Sequence, residues 1–555
     1  MRKQPAAVII VVVFALLVTV ALVTPPKANG IPAFARKYQT SCTTCHDNFP
    51  HLNDFGKAFK DAGFKFPAED ETFIKVPPVL LGAPAQKQLW PKTVWPGVIP
   101  GMPPIGLRMN NFFQVVGRNR GNFASVQGLP SPTPAGFVPR TDFEPGLFSI
   151  FTAGNFGSDI AFWVDDDLSV AGSGGNGGLG DGYLRFVNIG RFLHLPKDSL
   201  HLRVGQFELE LPFSPARSWN LSPWDIYDQA TIGAINPNLN QHNVNNGFAL
   251  SSAAQGVEFS GGHHYGGYFW ALAIVNQTTG SQTIDSSGLV PAALGANSGG
   301  LGFFSDSNFK DIYGRFAYRF NLERDRESRR AIQAAGAMGP RTHTYLTLGS
   351  LYYYGRSVQR FVGADAIGNA VALTAREPFY RVGADFDLNY RNFNLFGQYL
   401  YGRDHNLLPF DSTGALIPLP LATGTSPVPV GFVHSRPSTF SGGFVQADYM
   451  PLPWIMLIMR YDGVNSWADF ANGQESITAG ALGQGVNFFG PAQHTRNRFT
   501  PGVQFLIHAN IKASFEYQFR PRQQVAAGVD PVTGLPVMIT PFRTNTATAG
   551  LEFVY

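Results

Sequence analysis

From about residue 106 onward the apolar side chains of this chain fall at every second position, and no other feature restricts its fold as severely. Within residues 379–390, one face carries Tyr380, Val382, Ala384, Phe386, Leu388 and Tyr390, and the other Arg381, Gly383, Asp385, Asp387 and Asn389. Within 511–520, Ile511, Ala513, Phe515, Tyr517 and Phe519 oppose Lys512, Ser514, Glu516, Gln518 and Arg520. A period of two means β-strands with one apolar and one polar face. A sandwich hides the apolar face in its core, whereas a membrane barrel turns the same face outward to lipid. Strand spacing alone does not separate the two.

Composition and chain organisation favour the barrel. The 555 residues include 47 Phe, 19 Tyr and 61 Gly with 14% charged side chains, and past the N-terminus no run reaches the apolar length of a membrane-spanning helix. Strand-like segments start near residues 106, 145, 158, 183, 199, 254, 265, 309, 342, 378, 393, 438, 454, 496, 511 and 544. The count is about sixteen, and single-chain outer-membrane barrels have even numbers of strands. Short links at 390–393, 450–453 and 507–510 alternate with long loops at 209–253, 277–307, 404–437, 466–493 and 522–543, as the periplasmic turns and external loops of such barrels do. A charged insert at 321–341, including Arg324, Arg326, Arg329 and Arg330, stands where a short turn is expected and reads as a solvated periplasmic segment. The chain stops with Leu551, Phe553 and Tyr555 on one face, which resembles the C-terminal assembly signature of bacterial outer-membrane barrels. Residues 106–555 are therefore expected to form an all-β transmembrane β-barrel of about 16 antiparallel strands.

The first thirty residues hold Arg2 and Lys3, an uncharged run from Ala6 to Val23 and a small-residue stretch ending at Gly30, which reads as a signal peptide over 1–30. An uncleaved anchor is the alternative, because the run just spans a bilayer core of roughly 30 Å. With the three basic residues of this segment set aside, 39 basic side chains face 38 acidic ones. That balance lacks the basic footprint of a nucleic-acid binder, and no nucleic-acid partner is expected. Residues 68–105 are Pro-rich and read as an extended linker pinned by Trp90 and Trp95.

Between signal and linker lies Ser41-Cys42-Thr43-Thr44-Cys45-His46. A Cys-x-x-Cys-His run is the pattern of c-type haem attachment: two thiols at this spacing add to the two vinyl groups of one haem, and the next residue offers an imidazole as proximal iron ligand. The sequence holds two cysteines in all, so no thiol is left to complete a four-ligand zinc site. A disulfide or a thioredoxin-like redox pair are the competing readings, and the latter wants a βαβ setting that this stretch lacks. Residues 31–67 are expected to be a small α-helical monohaem cytochrome c-type domain. Its helix would have Pro50 in the first turn, Leu52, Phe55 and Phe59 on one face, and Gly63 as stop. A unit of this size buries little core and has to lean on its haem and on the rest of the protein.

The run from Ile31 to Tyr38, the haem motif and the continuation from Phe49 to Gly56 resemble the fused monohaem cytochrome-porins of bacterial outer membranes, a family best known from iron-oxidising bacteria. The close resemblance covers about thirty residues; the barrel matches in architecture and in its last strand. It implies one covalently bound haem c, in the lumen or on the periplasmic side of a barrel surrounded by outer-membrane lipid. Electrons would pass from extracellular Fe(II) or another metal to a periplasmic carrier such as a soluble cytochrome. Relatives occur in bacteria not known to oxidise iron, so outward flow to an external acceptor stays open, as does a solute porin whose haem unit is a plug or sensor.

His46 is the expected proximal ligand. Candidates for the opposite side of the iron are Met102 in Pro100-Gly101-Met102-Pro103-Pro104, His51, the barrel histidines His201, His263 and His264, or an open position. His51 follows His46 so closely that it is expected on the proximal side. Asp165, Asp166 and Asp167 read as a solvated strand end, with a hard-cation site as the alternative. The glycines of 172–182 form a loop and not a phosphate cradle, since no Lys-Ser/Thr follows them. No nucleophile triad or metalloprotease motif is present from which to build a hydrolase.

Overall fold

The computed structural model describes residues 33–48, 51–66, 70, 79–80, 88–89, 98–99, 105–116, 140–156, 159–167, 178–215, 218, 220–227, 250–251, 253–276, 282–284, 309–322, 344–364, 370–405, 407–415, 430–434, 437–466, 495–508, 510–519, 523–529, 536–542 and 545–555. The signal segment, Trp90, Trp95, Met102 and nearly all of the charged insert at 321–341 lie outside these residues.

A ring of strands dominates. In order these are β1 (Ile105–Val116), β2 (Arg140–Phe156), β3 (Ile160–Asp167), β4 (Gly178–Phe186), β5 (His201–Phe207), β6 (Ala254–Gly262), β7 (Gly267–Val275) and β8 (Asp311–Asn321). Then follow β9 (Tyr345–Ala364), β10 (Ala370–Tyr390), β11 (Phe393–Asp404), β12 (Ser438–Leu452), β13 (Ile455–Ser466), β14 (Thr495–His508), β15 (Ile511–Gln518) and β16 (Thr546–Val554). Each pairs antiparallel with its neighbours, and β16 returns to β1 with Val554 opposite Arg108 and Thr546 opposite Val116, so the sheet closes. Reciprocal 2.8 Å hydrogen bonds between the backbones of Leu107 and Tyr555 seal the seam. The expected antiparallel barrel is present with its expected alternation of connections. The three-residue segment Gln282–Ile284 adds itself parallel to β9 beyond the regular ring.

The barrel is inside out relative to a soluble protein. Along β13, Leu457 is 44% exposed, Met459 52% and Tyr461 51%, while Arg460 and Asp462, which alternate with them, are 1% and 0%. An apolar outer wall with polar side chains turned inward suits lipid as the outer solvent, and closure leaves no strand edge to satisfy there. The inward groups satisfy one another: Arg315 with Asp385 at 2.8 Å, Arg460 with Asp462 at 3.0 Å, Lys512 with Glu552 at 2.7 Å.

Two inserts occupy the lumen. One is the N-terminal unit: helix α1 (Ala33–Tyr38), a turn at Cys42–Thr44, a small pair of strands at His46–Asn48 and His51–Leu52, and helix α2 (Asp54–Asp61). α2 begins four residues later than the position of Pro50 suggests. Asn53 caps it, its side-chain oxygen accepting the Gly56 N–H at 2.9 Å. Leu52 is thereby left in the strand pair with His46 and off the helix face, while Phe55 and Phe59 are buried as expected. Gly63, at φ +79°, supplies the expected left-handed stop. Within the stretch read as linker, Val79–Leu80 pairs antiparallel with Val98–Ile99, so part of it is a small sheet.

The second insert is the start of the long connection after β5, which turns inward. Ser222 and the Leu221 N–H bind Glu516 of β15, Trp224 Nε1 donates to Gln446 of β12, and the Asp225 carboxylate meets Arg498 of β14 at 3.1 Å. Trp224 stacks on Phe444 at 4.6 Å. This segment lies against β11–β15, and the N-terminal unit against the opposite wall.

Candidate haem site

The Cys-x-x-Cys-His loop is held by α2. The Asn53 N–H donates to the Cys45 carbonyl at 3.0 Å, and the Asn53 side-chain amide donates to the Thr44 carbonyl at 3.1 Å. α2 approaches so closely that a Cβ on Gly56 would sit 2.1 Å from the Cys45 oxygen. His46 Nδ1 lies 3.3 Å from the His51 carbonyl oxygen. A carbonyl only accepts, so Nδ1 is the donor and Nε2 carries the basic lone pair, the tautomer an iron ligand needs.

Burial pushes the Cys42 thiol up to about 11 and the Cys45 thiol up to about 12, the nearby Cys42 adding to the second shift. A dithiol redox centre requires the opposite, a lowered thiol pKa. Two thiols at this spacing beside an imidazole in that orientation fit thioether attachment.

Cys42, Cys45 and His46 border a cavity of about 350 Å³ whose other wall belongs to the barrel, a volume in the range of cofactor sites. Its apolar lining comes from both sides: Phe59, Phe64 and Phe66 of the N-terminal unit, and Phe151, Trp163 and Tyr183 of β2–β4. Phe64 and Trp163 meet at 5.5 Å, and Trp163 stacks on Phe151 at 5.8 Å. The donor set and the aromatic walls fit a covalently attached haem.

Polar groups enter the lining mostly from the barrel. Asp165 of β3 lines the cavity and accepts the backbone N–H of Asp181 of β4, and Asp181 in turn accepts the Glu208 N–H at 2.7 Å. Read from sequence as a solvated strand end, Asp165 instead belongs to an acidic wall with Asp181 and Glu208. Arg108 of β1 and Lys60 of α2 are the cations of the described lining. The barrel residues Arg108, Trp163, Asp181 and Glu208 escaped sequence reasoning, because each meets the motif only through lateral closure of the sheet.

Among the distal-ligand candidates, Met102 lies outside the described residues. His51 sits beside His46, whose ring meets its carbonyl, and is not among the described residues lining the cavity. His201, His263 and His264 are not among the described residues lining the cavity. His201 Nδ1 accepts the Asn188 N–H at 3.0 Å, and His264 holds Asp61 at 2.7 Å, with its Nε2 3.6 Å from Glu210.

The His264 contact is one of several that dock α2 into the wall. Arg319 of β8 clasps Asp54 with bonds of 2.8 and 2.7 Å, Arg185 of β4 donates to the Lys60 carbonyl at 3.1 Å, and Lys60 reaches Glu210 at 3.5 Å. These partners gather near the short-turn end of the barrel, where β1 begins and β16 ends.

No family model and no curated protein matches this chain. Among solved structures it is similar to the outer membrane channel DcaP of Acinetobacter baumannii, at 8% identity over 81% of this chain and 96% of that one, with a TM-score of 0.40. It is also similar to an anion-selective porin from Comamonas acidovorans, at 10% identity over 81% and 98%, with a TM-score of 0.41. A third is OprB of Pseudomonas putida, at 10% identity over 81% and 94%, with a TM-score of 0.42.

Proposed function

We propose that this protein moves electrons across the bacterial outer membrane through one haem c carried by Cys42, Cys45 and His46 inside the barrel, taking them from extracellular Fe(II) or another metal and passing them to a periplasmic carrier. The observation that supports this reading is the cavity shared by the Cys-x-x-Cys-His loop and the wall formed by β1–β4. When bound, the group supplies a reversible one-electron change. The chain's own residues do the rest. His46 presents Nε2 because the His51 carbonyl occupies Nδ1. Phe59, Phe64, Phe151 and Trp163 give both walls an apolar surface, and burial of this kind is one of the protein's levers on reduction potential. Asp165, Asp181 and Glu208 give the barrel wall a negative character that attracts a metal cation.

Oxidised protein mixed anaerobically with Fe(II) and followed by its visible spectrum should show reduction between acidic and neutral pH. Absence of reduction across that range overturns the iron-oxidising reading. A redox titration ranks direction, because a low midpoint potential favours outward flow to an external acceptor.

A second reading, a solute porin plugged by the N-terminal unit, is favoured by the polar inner wall of β10–β16, where Arg381, Gln446, Arg460, Asp462, Arg498 and Glu516 face the lumen. Liposome swelling tests it: a barrel impermeable to small sugars counts against a porin.

A further inference from the structure

The connection between β4 and β5 stands out at the short-turn end of the barrel. It runs over residues 187–200, where the links at 157–159 and 391–392 are tight. Its middle is a single 3-10 turn, Ile189–Leu193, and Phe192, Leu193 and Leu195 are 70%, 65% and 43% exposed. One exposed Leu means little, but large apolar side chains grouped on one short segment mark a contact surface. The backbone holds them there. Asn188 and His194, both at φ +57°, bracket the turn, and the Leu195 N–H donates to the Gly190 carbonyl at 2.9 Å. Arg191 bonds Asp159, next to β3, at 2.7 Å, and the Gly262 N–H of β6 donates to the Asp198 carbonyl at 2.9 Å. Tied to the link before β3 on one side and to the end of β6 on the other, the connection lies along the rim and not across the mouth.

The wall above it is already apolar on its outer side. Phe156, Leu184 and Val204 are exposed there, and Ile160, Phe186 and Leu202 pair across β3–β5 as the last outward rung. The Arg191 guanidinium lies 4.8 Å over the Phe192 ring. A ring with a charged head above it suits the boundary between membrane and water, where the apolar body enters lipid and the head stays wet.

We propose that the 187–200 connection is a membrane-surface anchor: Phe192, Leu193 and Leu195 enter the periplasm-facing lipid leaflet beside β3–β5. Lipid is the occupant because the patch continues a wall that already faces lipid, and an amphipathic segment at that boundary binds through its buried apolar area. The anchor stands independently of the haem reading. Its wall is the one that docks α2, through Arg185 of β4 and the Lys60 carbonyl, so it also sets the height of the N-terminal unit relative to the membrane surface.

The test uses the full-length protein in vesicles of phosphatidylethanolamine and phosphatidylglycerol, with barrel closure checked by heat-modifiable gel migration. Phe192→Trp adds one indole at an exposed position, and its emission is the difference from wild-type protein in the same vesicles. Ser412→Trp, in an exposed turn at the long-loop end, is the water-facing reference. The Phe192→Trp emission should lie to the blue of the reference, fall strongly when the acyl chains carry bromine near their headgroup end, and fall little with iodide on both sides of the membrane. Emission quenched by iodide and untouched by brominated chains overturns the anchor and leaves the patch to a periplasmic protein. Emission shielded from both quenchers when protein is crowded, and opened to iodide on dilution in lipid, overturns it in favour of a second copy of this chain. Leu195→Trp supplies the same readout should Phe192→Trp fail to close.

Discussion

Gly56 shows how narrowly single residues set the haem loop. Its missing side chain lets α2 lie against the Cys45 carbonyl, and a methyl group there would sit 2.1 Å from that oxygen and 2.9 Å from Leu52 Cδ2. Gly56→Ala should therefore displace the Cys-x-x-Cys-His loop at a cost of about 1–3 kcal/mol, typical of overpacking, and sharply reduce covalent haem as read by in-gel haem staining, with barrel closure intact. Asn53→Ala should be milder. It removes the helix cap and the tie to Thr44, a loss of about 1 kcal/mol for the cap, seen as a lower melting temperature of the N-terminal unit. That Cys42, Cys45 and His46 lie together was legible from sequence because their spacing is local. Arg108, Trp163 and Asp181 were not, since their place at the site is set by strand register across the sheet and by docking of the N-terminal unit, neither of which leaves a local pattern.

α2 is the element that joins the two parts of the protein, through Asp54 to Arg319, Lys60 to Glu210 and Asp61 to His264. Arg319→Ala would leave the Asp54 carboxylate against the wall without its bidentate partner and strip the cation from above the Tyr345 ring, 3.5 Å away. Breaking a buried pair in this way costs about 3–5 kcal/mol, so limited proteolysis should cut the N-terminal unit faster while the barrel resists. Docking should also depend on pH in both directions. Burial opposes the Asp61 carboxylate, yet His264 and Arg185 hold it down to about 2. A depressed carboxyl contributes stability above its ordinary value, and that contribution is lost as pH falls through the folded value. Burial likewise opposes a charged His264, and Asp61 and Glu210 raise it regardless. Its contribution is present below about 6.5 and lost as pH rises through the raised value. Protection of the unit from protease should therefore be greatest between about pH 4 and 6.5 and weaken on either side; a profile that keeps rising above neutrality contradicts the His264 contact. The helix itself was legible from its Phe55 and Phe59 spacing and Gly63 stop. Its start was misplaced because Pro50 is a weaker signal than the Asn53 cap.

At the scale of the whole molecule, the period-two pattern and alternating loop lengths were enough to anticipate a closed ring, because every inward or outward side chain repeats the same constraint. The inward turn of the connection after β5 was not legible: Ser222, Trp224 and Asp225 read as ordinary loop residues until Glu516, Gln446 and Arg498 are seen to receive them. With that segment on one wall and the N-terminal unit on the other, liposomes bearing the intact protein should swell slowly in small sugars. Deletion of residues 31–67 should speed swelling severalfold; equal rates would mean that the unit does not obstruct the lumen. The seam between β1 and β16 carries one more consequence, and it concerns time. β16 is the strand that completes the ring against β1, and Cys42, buried, and Cys45, half-buried, lie on the lumen side of the wall. On the haem reading proposed above, loading before the ring closes should exceed loading after it, as read by in-gel haem staining of protein given haem before and after folding into micelles.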